Sequence, residues 1–262
     1  MTDRRHILLL LCAFLTAASP AAGQDADLTQ GVAAMTARDL PLARRHLETA
    51  ARRDTTSYEA NWRLATVLTD IGKQTPADEK NPARDSLYAD AVTYARRAVA
   101  AKTNGSEGHF ALAVALGRTA LTLGARKQIR LAAEIRDEAL QTIRLEPRHD
   151  GAYHVLGRWN AEIMRLPAFQ KFFAKAFLGA SIFDQASWEA AERYLRLSVQ
   201  YNPRRITHRL DLALVQVDRA EWAAARAQID TLLTLPLGDP GDPANKRQAQ
   251  ALATKIAGKT SR

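Results

Sequence analysis

Between residues 25 and 257 the apolar positions follow one recurring scheme. A small residue is followed, an interval later, by a second small residue and then a large apolar one a turn beyond it. Gly31 precedes Ala43 and Leu47, Leu64-Ala65 precede Ala91 and Ala95, Leu112-Ala113 precede Ala139, and Leu212-Ala213 precede Ala225 and Ile229. That spacing suits antiparallel helix pairs whose backbones approach closely where the small residues meet. It predicts pairs over 25–54, 57–102, 106–146, 150–202 and 206–236, with a last helix over 243–257. The expected fold is therefore all-α, a right-handed superhelical solenoid of about five helix pairs with an inserted amphipathic helix and a C-terminal capping helix. One pair cannot bury its apolar face alone. Stacked neighbours form the core and leave a concave surface lined mainly by the first helix of each pair. The last helix, carrying Lys246, Arg247, Gln248 and Gln250, supplies the polar cap that such an array needs.

Two stretches interrupt the scheme. Residues 73–85 contain Pro76 and Pro82 among charged and amide side chains, which predicts a solvated loop. The insertion at 166–186 is different in kind, because five of the seven phenylalanines fall between 169 and 183. Phe169, Phe172, Phe173, Ala176, Phe177 and Ala180 share one helical face, while Lys171 and Lys175 lie off it. Pro167 suits the first turn of this helix and Gly179 its end. Its aromatic face either packs onto the solenoid or meets a membrane surface or an amphiphile, with Lys171 and Lys175 near the headgroups.

The N-terminus does not join the repeat. Arg4, Arg5 and His6 precede an apolar run from Ile7 to Ala18, and small residues around Ala21 to Gly23 follow Pro20. This is the pattern of a cleavable signal peptide over residues 1–23, cut near Gly23. The apolar run is shorter than the roughly 20 residues a membrane-spanning helix needs. The chain is therefore expected in the periplasm or secreted, as a helical-repeat domain over 24–262. Cys12, the only cysteine, falls inside the signal, so the mature chain has no disulfides and no thiol chemistry. The formal charge of +9 would ordinarily point to nucleic acid. Export and the scattering of the arginines among acidic residues argue against that partner, and favour anionic lipid, an envelope polyanion or an acidic protein.

Tyr153, Leu156 and Gly157, followed by Ala191, Leu195 and Pro203, match both halves of the tetratricopeptide pattern. The run Tyr153-His154-Val155-Leu156-Gly157-Arg158-Trp159, continued through Leu166 to Phe177-Leu178-Gly179, resembles the regulator of microtubule dynamics family of tetratricopeptide-like proteins. The long third pair, with Arg126-Lys127 and Leu145-Glu146-Pro147, is similar to that family as well, and the likeness extends over about residues 57 to 236. The resemblance implies a helical-repeat domain for partner or membrane-associated binding, without catalysis. The export signal departs from the animal members, which work in the cytosol and on organelles, so tubulin is not expected as a partner.

In tetratricopeptide repeats, fixed positions of the first helix face the groove. With Tyr153 at the fourth position, His154, Arg158 and Glu162 face it, and the same alignment adds Trp62, Phe110, Arg118 and Asp218. Arg158 can offer a planar donor fork to a carboxylate or phosphate, or be spent on an ion pair with Glu162 or a neighbouring carboxylate. Trp159 reads as core. Trp62 and Thr66 stand where a peptide-carboxylate clamp would need Lys and Asn.

Catalysis has little support. The six histidines show no metal-ligand spacing, and there is no Gly-rich phosphate loop and no Gly-x-Ser-x-Gly turn. Asp150 and His154, one turn apart, could pair, although an Asp at a helix start usually caps it. No catalytic residue, metal or cofactor is expected. The function that follows is a non-catalytic scaffold binding a protein or peptide on its concave face. The alternative is an amphiphile- or phospholipid-binding module using the Phe-rich helix and basic groove residues.

Overall fold

The computed structural model describes residues 20–75, 80–167 and 181–259. Among these it contains eleven α-helices, one short 3-10 turn and no strand. The first three pairs are α1 (Pro20–Thr36) with α2 (Leu40–Arg53), α3 (Tyr58–Gly72) with α4 (Pro82–Ala101), and α5 (Ser106–Leu121) with α6 (Ala125–Leu145). The fourth joins α7 (Asp150–Arg165) to α8 (Trp188–Tyr201), with the 3-10 turn Ser181–Gln185 between them. The fifth is α9 (Ile206–Asp218) with α10 (Trp222–Thr234), and α11 (Asp242–Ile256) closes the array. The expected all-α solenoid of five helix pairs with a terminal helix is therefore the fold.

Helix starts are set by local chemistry. Asp39 accepts from Leu42 N at 2.9 Å, Asn81 from Arg84 N at 2.9 Å and Ser187 from Ala190 N at 3.0 Å, each satisfying an otherwise orphaned donor. Pro82 occupies the first position of α4, where its missing N–H costs nothing. For that reason α4 begins inside the stretch 73–85 expected to be loop. The turns within the first and fifth pairs share one device, a non-glycine residue in the left-handed region, Arg38 at φ 62° and Ala220 at φ 60°. These are the two pairs with the twelve-residue step between small residues.

Packing between paired helices rests on small side chains. Ala43, Ala91, Ala95, Ala113, Ala139, Ala191, Ala213 and Ala225 are all completely buried. At Gly157 a Cβ would stand 2.5 Å from Leu195 Cγ and 3.2 Å from the Ala191 carbonyl oxygen, and at Gly31 it would stand 2.7 Å from Leu47 Cγ. The last helix is tied down by polar contacts. Lys246 Nζ donates to the carbonyls of Leu233 and Leu235 at the end of α10, and Arg226 donates to those of Ile256 and Lys259 at the end of α11.

Of the signal expected over residues 1–23, residues 1–19 lie outside the described residues, and α1 begins at Pro20. Phe169, Phe172, Phe173, Phe177, Lys171 and Lys175 also lie outside them. On the far side of that segment Phe183 is buried in the main core together with Trp159 and Ile163.

The contact at Gly157 sets a testable expectation. Gly157→Ala forces Leu195 off its rotamer against a backbone carbonyl, and should lower unfolding stability by about 1–3 kcal/mol in urea titrations monitored by circular dichroism.

Candidate functional site

The first helices of the second to fifth pairs, α3, α5, α7 and α9, turn one face each toward a common groove, and α11 closes one end. Its volume is about 1900 Å³. The floor is apolar, built by Val114 and Leu121 of α5, Ile129 and Ala132 of α6, and Val155 and Ile163 of α7. Trp159, nearly buried, also lines this floor, its indole Nε1 donating to the Ala132 carbonyl at 2.7 Å, which locks α7 onto α6.

The α7–α9 side of the groove forms a charged wall, because both helices present carboxylates or bases one or two turns apart. His154 Nε2 lies 2.6 Å from Asp211 Oδ2. Arg158 stands 3.3 Å from Glu162 and 3.8 Å from Asp211, and Arg165 bridges Glu162 at 3.0 Å and Asp218 at 2.7 Å. Burial would raise the Asp211 carboxyl, but the Arg158 charge and the His154 hydrogen bond bring it down to about 2. The same Asp211 charge holds the Arg158 guanidinium above its ordinary range.

Next along the wall, Asp150 Oδ2 accepts from His208 Nε2 at 2.8 Å and from Asn202 Nδ2 at 3.0 Å. Burial again works against the Asp150 carboxylate, and these partners outweigh it, giving about 2. Burial dominates at His208, with the neighbouring His154 and Arg205 charges adding to it and the Asp150 carboxylate opposing it, and the imidazole is pushed down to about 4. His208 is thus neutral at pH 7, with its proton on Nε2, and its buried Nδ1 has no hydrogen-bond partner among the described residues. The rings of His154 and His208 face each other at a 34° tilt with centroids 4.7 Å apart.

The cap of α7 is His149 rather than Asp150, since Nδ1 of His149 accepts from Ala152 N at 3.1 Å. Asp150 is thereby free to pair with His208, and His154 takes Asp211 instead. His149 also completes a group with Glu107 and Glu146 whose ligand atoms lie within 4.8 Å of one another. With Nδ1 accepting, the neutral ring carries its proton on Nε2, the atom facing Glu107 at 3.9 Å. A metal there would need that lone pair, so the group reads as a histidine–carboxylate contact.

Of the groove residues named from sequence, Phe110, Arg118, His154, Arg158, Glu162 and Asp218 all line the cavity. His154, Arg158, Glu162 and Asp218 belong to one ion-paired network, and Arg118 stands outside it. Trp62 is not among the lining residues. It packs half-buried against the main core, with the Arg63 guanidinium 4.4 Å above its ring. Asp211 and His208 were not singled out from sequence. Asp211 lies two helical turns before Asp218 on α9, a spacing that places both on one face.

Residues 28–257 match the family model described as regulator of microtubule dynamics protein 1-3. The chain is 26% identical over 145 residues to regulator of microtubule dynamics protein 1 of Mus musculus, covering 55% of this chain and 46% of that one. It is 24% identical over 142 residues to the Homo sapiens protein, covering 54% and 44%. The chain thus spans about half the length of the curated relatives it matches. Among solved structures it is similar to a thermophilic TPR protein of Thermus thermophilus, with a TM-score of 0.61, 16% identity and coverage of 87% of this chain and 99% of that one. It is also similar to pilF of Pseudomonas aeruginosa, with a TM-score of 0.55, 14% identity and coverage of 92% and 95%. These likenesses are of fold.

The His208 pair makes stability depend on pH. Its folded pKa of about 4 lies below the ordinary 6.5, so the unfolded chain binds the proton first and stability falls as pH drops through that window. The loss reaches about 3 kcal/mol by pH 4, at roughly 1.4 kcal/mol per pH unit of separation. Asp150 and Asp211 act lower, between 3.8 and about 2. Urea unfolding from pH 7 to 4 should show the decline, and His208→Asn should flatten it.

Proposed function

This chain belongs to the regulator of microtubule dynamics protein 1-3 family, and on that premise we propose that it is a non-catalytic scaffold holding a protein or peptide partner in its concave groove. The observation that carries this reading is the groove itself, a continuous trough along α3, α5, α7 and α9 with an apolar floor and a charged wall. A trough of that form suits an extended or helical segment that buries apolar side chains and leaves its polar edge against the wall. A non-catalytic role is consistent with the wall, where His154 and His208 are each engaged by a carboxylate and neither is paired with a nucleophile.

Residues 1–23 act, in this reading, as an export signal, and the scaffold works in the periplasm or outside the cell. Microtubule dynamics, named in the relatives, then gives way to a partner of the envelope. N-terminal sequencing of the exported protein should begin within a few residues of Gln24. A first residue of Met1 or Thr2 would refute export by cleavage.

The groove can be closed without touching the core. A Cβ at Gly117 would meet no atom within 4 Å, although the residue lines the trough. Gly117→Trp should fill the trough at an unchanged thermal midpoint, and peptides selected from a random display library on the wild-type protein should lose at least about tenfold in affinity, or 1.4 kcal/mol. Equal binding by both proteins would place the partner surface elsewhere.

A further inference from the structure

Five basic side chains, apart from the histidines, line the groove, and four of them are neutralised inside it. Lys73 pairs with Asp70 at 2.8 Å and Arg205 with Asp239 at 3.0 Å, while Arg158 and Arg165 share Glu162, Asp211 and Asp218. The fifth, Arg118, makes no hydrogen bond or ion pair with any described residue. It is half-buried on α5, its helical neighbours one turn away are Val114 and Thr122, and no acidic residue follows or precedes it at pairing distance along the helix. Burial pushes the guanidinium below its ordinary range and the Arg158 charge pushes the same way, outweighing the more distant Tyr88, Asp211 and Asp70 groups that work against them. A guanidinium remains charged throughout the working pH range. Among the described residues Arg118 is thus a partly desolvated cation that feels the Asp70 and Asp211 charges at a distance but has no anion in direct contact.

What surrounds Arg118 specifies the anion that fits. Asp70, Asp150, Glu162, Asp211, Asp218 and Asp239 all line the same groove, and each is already engaged. Their field disfavours a polyanion or a dianionic phosphate, whereas one unpaired guanidinium matches one carboxylate in a bidentate fork. Beside it on the same helix, Val114 and the exposed Leu121 offer apolar surface, and the uncrowded Gly117 leaves room between them. We infer that Arg118 is a specificity-determining seat for a partner segment bearing a single carboxylate, an Asp or Glu side chain or a chain terminus, next to a bulky apolar residue that packs on Val114 and Leu121. This rests on the groove being a peptide site, and it names the chemistry of the peptide.

Peptide display on the full chain tests both statements separately. Enriched peptides should carry one acidic group beside Leu, Ile or Phe. A synthetic copy should lose roughly 10- to 100-fold in affinity, read by fluorescence anisotropy, on Glu→Gln in the peptide or Arg118→Gln in the protein, the scale of one charge-assisted hydrogen-bonded pair. Phosphoserine or a triple-Glu run in place of the single Glu should not tighten binding. Arg118→Gln breaks no hydrogen bond or ion pair with a described residue and keeps most of the side chain's length, so its thermal midpoint should not fall. Arg118→Glu should recover affinity for the Glu→Lys peptide, a readout that a merely structural role would not give. Peptides lost on Gly117→Trp but indifferent to Arg118→Gln would overturn the seat and leave the groove reading intact. Peptides indifferent to Gly117→Trp would overturn the groove reading itself. Arg118-dependent binding of phosphatidylcholine vesicles containing phosphatidic acid, with no enriched peptide, would overturn the seat in favour of a membrane.

Discussion

Close approach of paired helices at small residues is the constraint from which the remaining features follow. Where Gly157 meets Leu195 and Gly31 meets Leu47, the space for a Cβ is already occupied by the partner side chain. Completely buried alanines repeat the arrangement through every pair. Backbones held that near leave little room for large side chains at the pair contacts, which accords with an aromatic fraction of only 6% and with buried aromatics such as Trp159 and Phe183 lying between pairs or beside the insertion. The pairs then have thin apolar faces that are satisfied only by stacking, and stacking with the first helices inward produces the trough.

The trough concentrates charge unevenly. α7 and α9 meet through polar groups rather than through apolar side chains alone, and His154, Arg158 and Arg165 each reach a carboxylate on α9. Pairing of this partly exposed kind adds little net stability, since solvent screens it and desolvation offsets much of the attraction. It also uses up the residues most suited to recognition. Arg158, with the most recognisable place in the repeat pattern, is held by Glu162 and Asp211, while Arg118 on a less conspicuous helix forms no ion pair with any described residue. In this chain the groove's capacity to select a partner lies where its internal network ends.

Much of the architecture could be read before any coordinate. The five pairs and the terminal helix fall where the apolar spacing puts them, because a helix face is a local periodic property and small residues mark where two faces touch. Two boundaries were misplaced: α1 starts at Pro20, inside the stretch assigned to the signal, and α4 starts at Pro82, in both cases because a proline read as a breaker serves as a first helical residue. The groove-facing positions of α5, α7 and α9 were legible for the same periodic reason. Trp62 departs from them because the trough does not extend to the first turns of α3.

Pairing across the groove was not legible, because it joins residues far apart in the chain. His154 and Asp211 are separated by 57 positions and His208 and Asp150 by 58, and nothing in either local sequence states which acid answers which base. The sequence by itself determined that the chain forms helices in pairs, with small residues at their contacts, and which face of each pair turns inward. Only the tertiary structure decided which of the inward charges cancel and which one is left over, because an ion pair depends on distance through space, and stacking alone sets that distance.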